Sequence, residues 1–336
     1  MDQQQRQFLI DLQSIYNQAK KDRRVCHCPN CNDKAIFSHV FSRKHILKPL
    51  CPQSKIYLFE PRELISISEN DMFHYYYRGL KAAFGFYGFC SEHDNKLFAE
   101  IEPSDGYIDW QIARNQYLLS YRNVCREICA NRIIHDVLQH LFLCSTSDAP
   151  NYHLNICSRL SQIDYSCKNL LHYKEFLEKG GFENDYSNIS FNYIELPYQL
   201  DLCIAAPICV HDGRGPRFKY DYQEVNIVNV FPYYGKTIVM FGYSNNFENR
   251  WLNKIIPSFS SPDPRIVSAA FADIMFRVEL NAIGPNTFSK IEKDLIDEYC
   301  FTFREKGDCY DMNLEIIQDL FYKPLKELMQ RKWETS

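Results

Sequence analysis

Two short strings bring cysteines, histidines and an aspartate together at metal-ligand spacing in this chain of 336 residues, VCHCPNC at 25–31 and GFCSEHDN at 88–95. Cys28 and Cys31 are separated by Pro29 and Asn30, a turn length that brings two thiolates onto one tetrahedral ion. Cys26 offers an alternative first ligand, with four residues between it and Cys31. Cys90 and His93, again with two residues between, supply a thiolate and an imidazole. Three thiolates and one imidazole are a ligand set for structural Zn²⁺, with Cys26 or Cys28 as the first member. The competing reading is a group of reduced cysteines used as small buried hydrophobes. An ion at this place would also gather His39, eight residues after Cys31, and Asp94 and Asn95, which directly follow His93.

The elements that must position these groups are short. Residues 25–105 read as β-type runs (AIFSHVF, KIYLFEP, ELISIS, FHYYYRG) between turns, and DNKLFAEIE starts a helix with Leu97, Phe98 and Ile101 on one side. A cysteine turn, a β segment and a helix carrying the second ligand pair make a treble-clef arrangement. Over residues 24–105 the pattern resembles the HNH, or ββα-metal, endonucleases in their zinc-stabilised form. It is also similar to an uncharacterised bacterial group with a C…C-x7-S-H…G-F-C-x-x-H-D-x-x-L-F-x-x-I-E pattern, here Cys31, Ser38, His39, Gly88, Phe89, Cys90, His93, Asp94, Leu97, Phe98, Ile101 and Glu102.

The nuclease resemblance implies a role for each polar residue. His39 would be the general base that deprotonates a water, Asp94 would hold a catalytic Mg²⁺ or Mn²⁺, and Asn95 would orient His39 or the phosphate. Glu102, about two helical turns beyond Asp94, would reach that cation if the helix bends or a water intervenes. Two positions depart from the family pattern. Apolar Leu97 and Phe98 stand where a further metal ligand is usual, and Ser38 precedes His39 where a second histidine or an acid is common.

The remaining chain reads as scaffold. A short amphipathic helix covers 2–22, helical periodicity runs from Trp110 to Phe142 and from about 152 to 178, and Gly180 and Gly181 follow as a C-cap. Residues 186–244 read as antiparallel strands, and 247–256, 262–282, 287–305 and 312–333 as helices. The expected class is α+β. It comprises a zinc-bound treble-clef, HNH-like module at 1–105, a helical hairpin or spacer at 106–181, and an α+β domain with an antiparallel sheet and helices at 182–336. In the loop HDGRGPR, the residues Asp212, Arg214 and Arg217 read as a plain hairpin connection, the alternative being a ligand or partner surface.

Composition narrows the function. A net charge of −4 gives no global field for nucleic acid, yet between Lys20 and Lys48 eight basic residues face two acidic ones. Arg23, Arg24, Arg43, Lys44 and Lys48 of this stretch are the expected phosphate contacts. There is no glycine-rich phosphate loop, no G-x-S-x-G, and His135 and His140 are five apart, not the four that pairs two imidazoles on a helix face. No apolar run is long enough to span a bilayer, and the polar start MDQQQRQFLIDLQ lacks a secretory signal, so the expected location is the cytoplasm. The expected function is metal-dependent cleavage of DNA or RNA, by analogy the effector of a bacterial defence or toxin system, with a partner protein or a second copy of the chain as further partners. The alternative is a non-catalytic zinc-stabilised module that binds nucleic acid or protein.

Overall fold

The computed structural model describes residues 3–22, 24–51, 53–59, 74–81, 83–144, 150–209, 225–245, 249–305 and 317–333. In chain order the elements are α1 (Gln3–Asp22), β1 (Ile36–His39), β2 (Lys55–Phe59), β3 (Tyr75–Gly79), β4 (Gly85–Phe89), α2 (Ser91–Leu97), α3 (Ala113–Cys144), α4 (Pro150–Gly181), β5 (Ile189–Leu196), β6 (Leu202–Cys209), β7 (Val225–Tyr233), β8 (Lys236–Ser244), α5 (Arg250–Ile255), α6 (Pro264–Phe276), β9 (Asn281–Ile283), α7 (Pro285–Phe288), α8 (Lys293–Glu305) and α9 (Tyr322–Trp333). The class is α+β with antiparallel sheets. Among the described residues no helix is long and apolar enough to cross a membrane.

Seven strands form one sheet in the order β3-β2-β9-β6-β7-β8-β5, every adjacent pair antiparallel. The two-residue side-chain period sorts its central strands between two cores. Cys203, Ala205, Ile227 and Phe231 point to one face, where they meet α3 and the cysteine module. Ile204, Val228, Val230 and Phe241 point to the other, under α5, α6, α8 and α9. All nine residues of β7 are buried, as expected of a strand covered on both sides. A third cluster joins Leu12 and Ala19 of α1 to Val137, Leu138 and Leu141 of α3 and to Ile156 and Ile163 of α4.

The hairpin of α3 and α4 falls where helical periodicity predicts it. At its open end Gly181 is required by close approach, since a Cβ there would lie 2.0 Å from the buried Tyr117 ring. The helix expected over 262–282 stops at Phe276, and residues 281–283 instead form β9, an inner strand between β2 and β6. Gly284-Pro285 follows it directly, and the residue before a proline disfavours helical backbone. Strands β2 and β3, which the sequence places inside the first 105 residues, pair through β9 with the sheet of the C-terminal half. The loop with Asp212, Arg214 and Arg217 lies outside the described residues.

Candidate metal centre and its surroundings

The first ligand string folds into a tight knuckle. Val25 bridges Lys34, the Cys26 N–H donates to Asp33 O at 3.0 Å, and the Cys31 N–H donates to Cys28 O at 3.2 Å. Asn30 takes a left-handed φ of 60°, which asparagine tolerates better than most residues. The second string turns from β4 into α2, where Cys90 is the N-cap and its sulfur accepts from the His93 N–H at 3.5 Å. The antiparallel pairing of β1 with β4 draws the two strings together although 59 positions separate Cys31 from Cys90.

Cys26, Cys31, Cys90 and His93 converge, with their four donor atoms all within 4.8 Å of one another. Nδ1 of His93 lies 3.2 Å from Cys90 Sγ and 3.5 Å from Cys26 Sγ, and Cys31 Sγ lies 3.9 Å from Cys90 Sγ. Zinc bonds of about 2.3 Å to sulfur and about 2.05 Å to nitrogen, set tetrahedrally, require edges of about 3.8 Å between sulfurs and about 3.6 Å from sulfur to nitrogen. Three edges of the quartet therefore lie close to those of a Cys₃His zinc site, and the remaining three are no longer than 4.8 Å. Cys28 is not one of the four, although it is as buried as Cys26 and lies beside the cluster, and burial followed by the neighbouring Cys26, with Cys31 and Cys90, pushes its thiol up. The first thiolate is thus Cys26, and the spacing is C-x₄-C.

Beside this cluster the catalytic candidates separate into two groups. Arg122 of α3, 1% exposed in its side chain, reaches Asp94 Oδ1 at 3.0 Å and Glu102 Oε1 at 2.6 Å. Its guanidinium also lies 4.2 Å from the Phe98 ring centroid. Glu102 shares this partner because α2 ends at Leu97 and a 3₁₀ turn over Ala99–Ile101 bends the chain back. His39 belongs to the same neighbourhood. Burial, with Arg43 and Arg122, holds its imidazole below the ordinary value, opposed by the Lys81 carbonyl and by Asp94. His39 Nε2 donates to Lys81 O at 3.2 Å, so the ring's proton acceptor is Nδ1.

Asn95 is not drawn in. One residue on along a helix is a rotation of about 100°, and its exposed side chain donates to Ser91 Oγ at 3.4 Å. Of the basic candidates, Arg24 lays its guanidinium 3.7 Å over the Tyr87 ring, Lys44 pairs with Asp105 at 3.0 Å, and Arg43 and Lys48, which share a short helical segment with Lys44, are exposed, Arg43 near enough to His39 to act on it. Arg23 lies outside the described residues.

Three residues with no assigned role in the sequence complete the surroundings. Arg122 is one, and its signal was a charge inside the apolar face of a long helix, where an unpaired charge is rarely tolerated. The others are His27 and Cys129. His27 Nε2 lies 3.0 Å from Cys129 Sγ, and burial, with Arg132 and Lys174, lowers its pKa to about 3. Cys129 in turn donates to Tyr87 O at 3.3 Å, fastening the knuckle and β4 to α3. No family model, curated protein or solved structure matches the chain.

Proposed function

We propose that the chain is a metal-dependent nuclease of HNH-like type, cleaving phosphodiester bonds in DNA or RNA, with zinc held by Cys26, Cys31, Cys90 and His93 as a structural ion. The observation that carries the reading is the state of His39. Its Nε2 hydrogen is committed to a carbonyl and its charged form is disfavoured, which leaves a neutral imidazole with Nδ1 as base. His39 would take the proton of an attacking water. Asp94 would hold Mg²⁺ or Mn²⁺, and such a cation, when bound, polarises the scissile phosphate and stabilises the leaving oxygen. Arg122 occupies Oδ1 of Asp94, so the other carboxylate oxygen would serve the cation.

A second reading is favoured by the same guanidinium. With Asp94 and Glu102 both paired to Arg122, the pair of carboxylates can serve as a clasp, and the module would dock nucleic acid or a protein without cleaving. A nicking assay on plasmid DNA and on a structured RNA, with Mg²⁺ or Mn²⁺, separates the two. The nuclease reading expects cleavage by the wild type and a loss of at least about 100-fold in His39→Ala, within the range that general base catalysis contributes. Inactivity of the wild type on both substrates, or equal activity of the variant, rejects it.

A further inference from the structure

The segment that leaves His39's strand and returns to β4 carries a surface no part of the mechanism uses. Its hairpin of β2 and β3 puts Lys55, Tyr57 and Tyr77 on one face, with Tyr57 directly opposite Tyr77. The two rings are 4.9 Å apart and tilted by 35°. Tyr77 is 42% exposed, and its hydroxyl donates to Gln53 Oε1 at 3.4 Å. The Lys55 ammonium lies 5.3 Å from the Tyr77 ring centroid. Below them Tyr57 is fixed by parallel stacking on Phe288 of α7, with centroids 3.7 Å apart and planes within 5°. On the opposite face of β3 the motif repeats, His74 at 4.0 Å and Arg78 at 4.9 Å from the Tyr76 ring.

The described part of the hairpin and its exit, 53–59 and 74–81, carries Lys55, Arg78 and Lys81 and no acidic residue. The acidic residues of the intervening stretch, Glu60, Glu63, Glu69 and Asp71, lie outside the described residues together with Arg62. Position supplies the link to the site. From Tyr77 the chain runs through Arg78, Gly79 and Leu80 to Lys81, whose carbonyl holds His39. Four residues span at most about 14 Å between Cα atoms, so the backbone of Tyr77 lies within that distance of the residue whose carbonyl holds the base.

An exposed tyrosine braced from below by a second ring, with an ammonium group beside it, supplies the parts of a stacking platform for unpaired bases. Every base offers a π-face to a ring, whereas a paired base in a duplex has its faces already stacked. We propose that the outer edge of the β2–β3 hairpin binds single-stranded nucleic acid, its bases on Tyr77 and its phosphates on Lys55 and Lys81. The proposal rests on the nuclease reading for its purpose and names the strand state of that enzyme's substrate.

Binding is measured separately from cleavage, by fluorescence anisotropy of a labelled 12-nucleotide single strand, as DNA and as RNA, with no added divalent cation. Tyr77→Ala is expected to weaken binding about 5- to 150-fold, the range for losing one stacked base, while Tyr77→Phe binds as the wild type does. Lys55→Gln is expected to reduce the slope of log affinity against log salt by about 0.7, one phosphate contact on a single strand. His39→Ala is expected to bind normally. Failure of cleavage with these results intact removes the nuclease reading and leaves the platform. No binding by the wild type, or wild-type affinity in a folded Tyr77→Ala, overturns the platform, as does a duplex of the same sequence binding more tightly than the single strand.

Discussion

At the scale of single residues, the environment of His39 decides both its protonation and its use. Burial opposes the imidazolium, Arg43 and Arg122 oppose it further, and the Lys81 carbonyl and Asp94 offset only part of this. The folded pKa therefore lies below the ordinary 6.5. The neutral base persists as pH falls toward that value, and the acid limb of the cleavage profile is expected below pH 6.5. The same shift has a consequence for stability. Below about pH 6.5 the unfolded chain takes up the proton first, so this group destabilises the fold progressively as pH falls through that range. An NMR titration of the His39 ring checks the shift directly, and a midpoint at or above 6.5 contradicts it. The identity of this residue could be read from its spacing to Cys31, but its tautomer could not, because the carbonyl that sets it belongs to Lys81, beyond two strands of a different sheet.

At the scale of elements, Arg122 is what joins the short helix α2 and the 3₁₀ turn after it to the long helix α3. A buried guanidinium with two carboxylates is not strong evidence for stability in itself, since desolvation offsets much of the attraction. Removing the guanidinium alone leaves Asp94 and Glu102 without the partner they share. Arg122→Met is expected to cost about 3 kcal/mol, the low end for broken buried pairs because Glu102 is a third exposed. Urea unfolding with an unchanged m-value checks it, and a cost under about 1 kcal/mol contradicts the clasp. The helices α1, α3 and α4 and the strands β5 to β8 were legible because each keeps one period for many residues. Strand β9 was not, because three residues carry no period and their partners lie in β2 and β6. The turn that brings Glu102 to Asp94 was foreseen only as a condition, since a bend depends on the contact with Arg122 that it makes.

At the scale of the whole molecule, one sheet divides two cores, and the cysteine module sits on the face shared with α3. The ligand types and the pairing of the two strings were legible in the sequence, because few other arrangements use C-x-x-H after a cysteine turn. The choice of first thiolate was not, because spacing admits either Cys26 or Cys28 and only the folded chain brings Cys26 Sγ to 3.5 Å from His93 Nδ1. The nuclease reading depends on that quartet, since a zinc ion there would hold β1, β4 and α2 at fixed positions around His39 and Asp94. The most direct test is the metal content of purified protein measured by mass spectrometry, for the wild type and for Cys26→Ser, Cys28→Ser and Cys90→Ser. The account predicts about one zinc per chain in the wild type and in Cys28→Ser, and its loss in Cys26→Ser and Cys90→Ser. A wild type without bound metal, or zinc retained in Cys26→Ser and lost in Cys28→Ser, would contradict it.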